Sequence, residues 1–123
     1  MKQHITVEQL NELSEKGKEK LRKWWKPIVG DWFDDDGYMR IIPDDETKGA
    51  FVLNSFHTPL LSIGQMIEFL DFGNDFSIEY EESNDSWRIY WGLPKKQYKS
   101  GNPYGDSELC DSLWEACREI LDK

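Results

Sequence analysis

Cysteine is nearly absent: the 123 residues contain two, Cys110 and Cys117. Seven apart on one helical segment, their Cα atoms would lie roughly 10 Å apart by the helical rise. A disulfide spans at most about 7 Å, so the two cannot bridge each other within that helix. They read as small core residues in keeping with a reducing compartment. A structural zinc site has too few thiolates to form, and no metal or other cofactor is expected. Long apolar runs are also missing; nothing approaches the roughly 18 residues of a membrane span, and MKQHITVEQL lacks a signal-peptide core. Neither a membrane partner nor signal-directed export is expected. Basic charge is scarce: 15 Lys+Arg stand against 24 Asp+Glu, giving −9 and a pI near 4.7. A protein that grips a phosphate backbone needs basic surface, so direct nucleic-acid binding is not expected either.

Aromatics are plentiful, with six Trp, five Tyr and six Phe. That content argues against disorder, and the length suits one domain over residues 1–123. Charge is unevenly placed, with a net +3 over residues 1–27 and −12 over the rest. Such a dipole can orient encounters with a partner. The plainer account is that Lys16, Lys18, Lys20, Arg22, Lys23 and Lys26 complement the C-terminal end of a helix.

The first helix is well marked. Thr6 and Gln9 form a capping box, and Ile5 and Leu10 occupy the staple positions. An apolar stripe at Leu10, Leu13, Gly17, Leu21 and Trp24 predicts one continuous helix that Pro27 stops. Gly17 on that stripe implies close approach of another element. Trp32-Phe33 and Tyr38–Ile42 flank Asp34-Asp35-Asp36-Gly37, which predicts a hairpin. A short strand is expected over 51–56, and 43–49 reads as an exposed loop. Ser62 and Gln65 repeat the capping box, with Leu61 and Met66 as staple, ahead of a helix whose inner face is Ile63, Met66, Ile67 and Leu70. Gly73-Asn74 supplies its stop. FSIEYEE and SWRIYWG alternate cleanly and predict a second hairpin, linked through Ser83-Asn84-Asp85. The segment GLPKKQYKSGNPYGD reads as a loop. A last helix begins near Ser107 and carries Leu109, Cys110, Leu113, Trp114, Ala116, Cys117, Ile120 and Leu121 on its apolar face. The fold class is α+β, an antiparallel sheet built from hairpins and layered with three amphipathic helices in the order α-β-β-α-β-β-α.

Catalytic motifs are lacking. With Gly37 at the sixth position of a calcium loop, the twelfth is Pro43 where a bidentate Glu is needed, so no EF-hand forms. His4-Ile5-Thr6 matches half of the paired His-x-Thr signature of two-histidine phosphodiesterases, and His57-Thr58-Pro59 has the wrong spacing for the other half. There is no P-loop, Gly-rich dinucleotide turn or nucleophile motif. An enzyme is not expected.

Two binding sets remain. The first is acidic: Asp34, Asp35, Asp36, Asp44, Asp45, Glu46, Glu79, Glu81 and Glu82, with Asp31 and Asp85 nearby in sequence. Such carboxylates can compete with phosphates for the basic groove of a partner protein; the plainer account is charge for solubility. The second draws on Trp32, Tyr38, Arg88, Tyr90, Lys95, Lys96, Tyr98 and Tyr104. Within it, Arg88, Trp91, Lys95, Lys96 and Tyr98 are the candidate ligand set for an oligomeric sponge of a nucleotide signal, since Arg and aromatic faces sandwich bases while Lys neutralises phosphate. Its plainer account is strand packing plus a solvated loop.

PLLSIGQMIEFLDF, FSIEYEE, SWRIYW and ELCDSLWEACREIL together resemble small uncharacterised phage and prophage proteins of Gram-positive bacteria. Their helix–hairpin–helix order is similar to the phage ABA-sandwich domain. The resemblance covers roughly residues 60–122, with weaker support from KWWKPIVGDWF, and rests on apolar core positions. The long Lys-rich loop 93–106 and the Asp run at 34–36 depart from it. It implies an α/β sandwich of phage origin and offers no active site to carry over. The expectation is a phage-encoded accessory protein in the host cytoplasm that binds and inhibits a host protein, such as a nucleic-acid-binding defence factor or CRISPR nuclease. The alternatives are the homo-oligomeric sponge and a structural or regulatory phage protein with no immune role.

Overall fold

A computed structural model describes residues 2–44, 54–71, 76–84, 86–91, 96–100 and 108–123. The protein is α+β, with helices and two antiparallel three-stranded sheets. It divides into two compact units, His4–Leu61 with Leu121–Lys123, and Met1–Gln3 with Ser62–Ile120.

In the first unit, Thr6 caps α1 (Val7–Leu10). Gln9 N–H donates to Thr6 Oγ1 at 3.1 Å, and Thr6 N–H donates to Gln9 Oε1 at 3.0 Å. The continuous helix expected through Pro27 is instead two, with α2 at Glu15–Trp24. After Leu10 the backbone tightens, Glu12 and Leu13 donating to Gln9 and Leu10 oxygens three residues back. Ser14 then adopts extended φ/ψ and caps the new helix, its Oγ accepting from Gly17 N–H at 3.0 Å. A serine that satisfies an orphan donor this way favours a fresh start over continuation. The close approach expected at Gly17 is made by Asp122: a Cβ there would collide with Asp122 Oδ1. That carboxylate accepts from Ser14 N–H at 3.2 Å and Ser14 Oγ–H at 2.7 Å. At the other end, Trp25 rather than Trp24 turns inward. Its N–H donates to Leu21 O, and its indole N–H donates to Asp31 Oδ2 at 2.9 Å.

The first hairpin forms as expected, with β1 (Trp32–Asp35) antiparallel to β2 (Tyr38–Ile41). Asp36 and Gly37 both have positive φ, 51° and 93°, as a two-residue type I′ turn requires. Asp34 Oδ1 accepts from Gly37 N–H at 2.9 Å and locks the turn. The structure adds a third strand that the sequence does not signal: β3 (Thr58–Pro59) pairs with the other edge of β1, giving the order β2-β1-β3. Of the strand expected over 51–56, residues 51–53 lie outside the described residues, and the other half is not strand: Asn54 is irregular and Ser55–Phe56 form a turn. Of the expected loop 43–49, Pro43 and Asp44 are irregular and the rest lies outside the described residues. Ile5, Leu10, Leu13, Leu21, Trp25, Phe33, Leu60 and Leu61 are buried.

In the second unit, Ser62 and Gln65 close the second capping box ahead of α3 (Ile63–Asp71), at 3.1 and 2.9 Å. Met66 and Leu70 are buried, while Ile63 and Ile67 are half-buried. The expected stop at Gly73-Asn74 lies outside the described residues. β4 (Phe76–Glu81) and β5 (Ser86–Trp91) pair in the expected hairpin, Phe76 opposite Trp91 through Glu81 opposite Ser86. The supposed loop after Trp91 contains β6 (Lys96–Ser100), which pairs with β5 and completes β4-β5-β6. Lysine-rich sequence carries little strand propensity; pairing to β5 outweighs it. α4 (Leu109–Leu121) buries Cys110, Leu113, Trp114, Ala116 and Cys117. Both thiols are free, and burial pushes Cys110 up to about 11 and Cys117 well above its ordinary value. Among the described residues no helix is long and apolar enough to cross a membrane.

Candidate functional site

The acidic set divides by what each carboxylate already does. Asp34 is committed to the turn. Asp35 lies between two cationic or donor groups: Oδ2 accepts from Arg40 Nη1 at 2.8 Å, and Oδ1 meets His57 Nε2 at 3.0 Å. The Arg40 bond first, then the His57 bond, holds the Asp35 carboxyl below the usual carboxylate range. Glu81 is ion-paired with Arg88. Asp36, Asp44, Glu79 and Glu82 are exposed. Asp45 and Glu46 lie outside the described residues. Asp34–Asp36 and Asp44 thus belong to the first unit, while Glu79, Glu81 and Glu82 belong to the second.

The nucleotide set does not share one phase of its sheet. The Cα register pairs Trp91 with Lys96 and Ile89 with Tyr98, whereas Arg88 pairs with Glu79 and Lys99. Strand alternation has a period of two, so Arg88 stands out of phase with positions 91, 96 and 98. Arg88 is also engaged locally. Its hydrogen bond to Tyr90, then the Glu81 charge, raises its pKa further above the ordinary arginine value. Lys95 lies outside the described residues.

A buried histidine network is absent from the sequence-based expectations. His57 is 4% exposed, and its ring sits between Phe33 and Phe56 with centroids 4.8 and 4.6 Å away. Nδ1 accepts from the Asn54 backbone N–H at 3.0 Å, which assigns the ring proton to Nε2 and makes that nitrogen the donor to Asp35. Both ring nitrogens are therefore occupied by the protein itself. The arrangement ties the Asn54–Thr58 segment to β1, and the bond from Arg22 Nε to Thr58 Oγ1 at 2.8 Å ties it to α2. Arg22, Trp25, Pro27, Asn54, Ser55 and His57 line a cavity of about 270 Å³. The only sequence signal is an isolated His-Thr-Pro, because its partner Asp35 lies 22 positions away. His4, by contrast, is half-buried: it stacks on Trp32 at 5.1 Å, and its Nδ1–H donates to Ile5 O at 2.8 Å.

The strand β2 is the other feature that sequence conceals. YMRI reads as a hairpin strand with no sign of how far it is covered, and all four of its residues are exposed. Ile28 and Val29, in the loop before β1, are exposed as well. Gly30 N–H donates to Ile42 O, and Ile42 N–H to Asp31 O, so that loop runs beside the end of β2.

Fold and site together define a small acidic α+β protein with exposed carboxylates and an exposed edge strand. Compared with family models, with curated proteins and with solved structures, the chain shows no match in any of the three.

Proposed function

We propose that this chain is a non-catalytic, phage-encoded accessory protein that acts in the host cytoplasm. Its acidic surface docks on the basic, nucleic-acid-binding groove of a host factor and inhibits it. A defence nuclease of the CRISPR type is the kind of target whose groove fits this chemistry. The observation that carries the reading is a set of exposed carboxylates that hold no other group among the described residues. The carboxylates of Asp36, Glu79 and Glu82 make no hydrogen bond or ion pair among the described residues. Together with a net charge of −9, they favour basic protein surface and repel phosphate. The engagement of both nitrogens of His57 supports a binding role over acid–base chemistry.

The test compares the wild-type chain with an Asp36→Asn, Glu79→Lys, Glu82→Lys variant, which leaves the committed carboxylates in place. Each is used to capture partners from a Gram-positive host lysate at low and high salt. A stoichiometric, salt-sensitive protein that loses nucleic-acid binding when the wild type is present, and that the variant does not capture, is the expected result. Equal capture by the variant, or undiminished nucleic-acid binding by the captured protein, would overturn the proposal.

A further inference from the structure

The outer edge of β2 is exposed, and its backbone phase can be read from the hairpin. In a two-residue hairpin the pair flanking the turn, Asp35 and Tyr38, exchanges hydrogen bonds, and alternate pairs follow. The bond from Ile42 N–H to Asp31 O, at 2.9 Å, fixes that phase. Tyr38, Arg40 and Ile42 therefore direct their backbone groups toward β1, while Met39 and Ile41 direct theirs outward. β2 ends the sheet order β2-β1-β3, and among the described residues nothing pairs with its outer side. The side chains are apolar and uncovered: Tyr38 is 75% exposed, Met39 51% and Ile41 46%. Natural edge strands are usually blunted by lysine, proline or a bulge. Here the strand's one charge, Arg40, is drawn to Asp35 at 2.8 Å.

We infer that β2 binds an extended segment of a basic protein by strand addition, with lysine or arginine at both ends of that segment and apolar residues between them. Charge selects this occupant. Beyond one end of β2 stands exposed Asp36, in the turn, and beyond the other stands exposed Asp44. A strand of roughly eight residues, about 26 Å long at the strand rise, spans from one acidic end to the other. Its backbone meets Met39 and Ile41, its apolar side chains meet Met39, Ile41 and Tyr38, and its terminal cations meet the carboxylates. A second copy fits poorly. Antiparallel self-pairing that sets Met39 against Ile41 of the copy also brings Asp36 toward the copy's Asp44, like charge against like. The inference rests on the acidic-docking reading above and names where, and by what backbone geometry, docking occurs.

The probe is a short synthetic peptide with two lysines at each end and alternating valine and threonine between them. Glutamate-ended and alternately N-methylated versions serve as comparisons. Binding to the full chain is followed by amide hydrogen exchange and by titration. Saturable binding of the lysine-ended peptide alone is expected, with new protection at the Met39 and Ile41 amides. In an Ile41→Pro chain, binding should weaken about tenfold or more. Proline is tolerated there because the Ile41 N–H faces away from β1. Should that variant fail to fold, protection at Met39 and Ile41 in the wild type still decides the matter. Lysine-peptide binding without that protection, or equal binding of the N-methylated peptide, overturns strand addition and leaves acidic docking standing. Absence of peptide binding overturns strand addition as well, with acidic docking then judged by the charge-reversal capture alone. A concentration-dependent dimer that Ile41→Pro abolishes would make the occupant a second copy and likewise overturn the proposal.

Discussion

The two hairpins pose the same electrostatic problem and solve it differently. Each sets an acidic residue of one strand against an arginine of the next, Asp35 with Arg40 and Glu81 with Arg88. Around Asp35 a buried ring is added: His57, almost fully enclosed, whose other nitrogen is held by a backbone amide. The ring beside the Glu81–Arg88 pair is Tyr90, bonded to Arg88 and only half-buried, and both charged side chains keep more than a quarter of their surface in water. An ion pair open to solvent contributes little because water screens it. A carboxylate that also organises a buried ring can fix a whole segment, here Asn54–Thr58. The difference is therefore one of what each acid holds in place, more than of charge.

His57→Ala should have the largest effect. It empties a ring site between Phe33 and Phe56 and leaves the Asn54 amide without its acceptor. A loss of about 2–4 kcal/mol in urea unfolding is expected. A smaller loss than that of Arg88→Ala would reverse the comparison. Next comes acid. The folded pKa of Asp35 lies below its ordinary value of 3.8. Its stabilisation is therefore complete above that value and is lost as pH falls through the folded pKa. The wild type should lose stability over that acid window more steeply than Asp35→Asn, with the two melting curves converging as pH drops. Parallel curves would show that the carboxylate does not carry this linkage. Smallest is Glu81→Gln, which should lower the melting temperature less than Asp35→Asn does. The difference from wild type should shrink further at about 1 M salt, where screening reaches about 3 Å. A larger, salt-insensitive drop would give the second hairpin an anchoring role like that of the first.

Much of the framework is readable where signals are local. Both capping boxes, both hairpins, the close approach at Gly17 and the apolar face of the last helix follow from residues within a few positions of one another. The failures share a cause. The stripe Leu10, Leu13, Gly17, Leu21 looks the same for one helix or two. What breaks it is Ser14, held by Asp122 at 108 positions' distance. β3 is two residues long and contains proline, and β6 is rich in lysine, so each becomes a strand only through its neighbour. The acidic candidates are visible as residues, but not their division into committed and exposed groups. That division depends on Arg40, His57 and Arg88, whose pairing no spacing rule specifies. The exposure of β2 is hidden too, since nothing local in YMRI says whether another element covers it.

The bond between Ser14 and Asp122 also sets an order of events. At a synthesis rate of about 5–20 residues per second, those 108 positions separate the two residues by roughly 5–20 s on the ribosome. During that interval Ser14 can cap its helix through Gly17, but the carboxylate that buttresses the cap has not been made. The first-formed unit must therefore wait for residues made long after it, and a nascent chain has a stage at which every element from Thr6 to Leu61 has been synthesised while one of its ties is still missing.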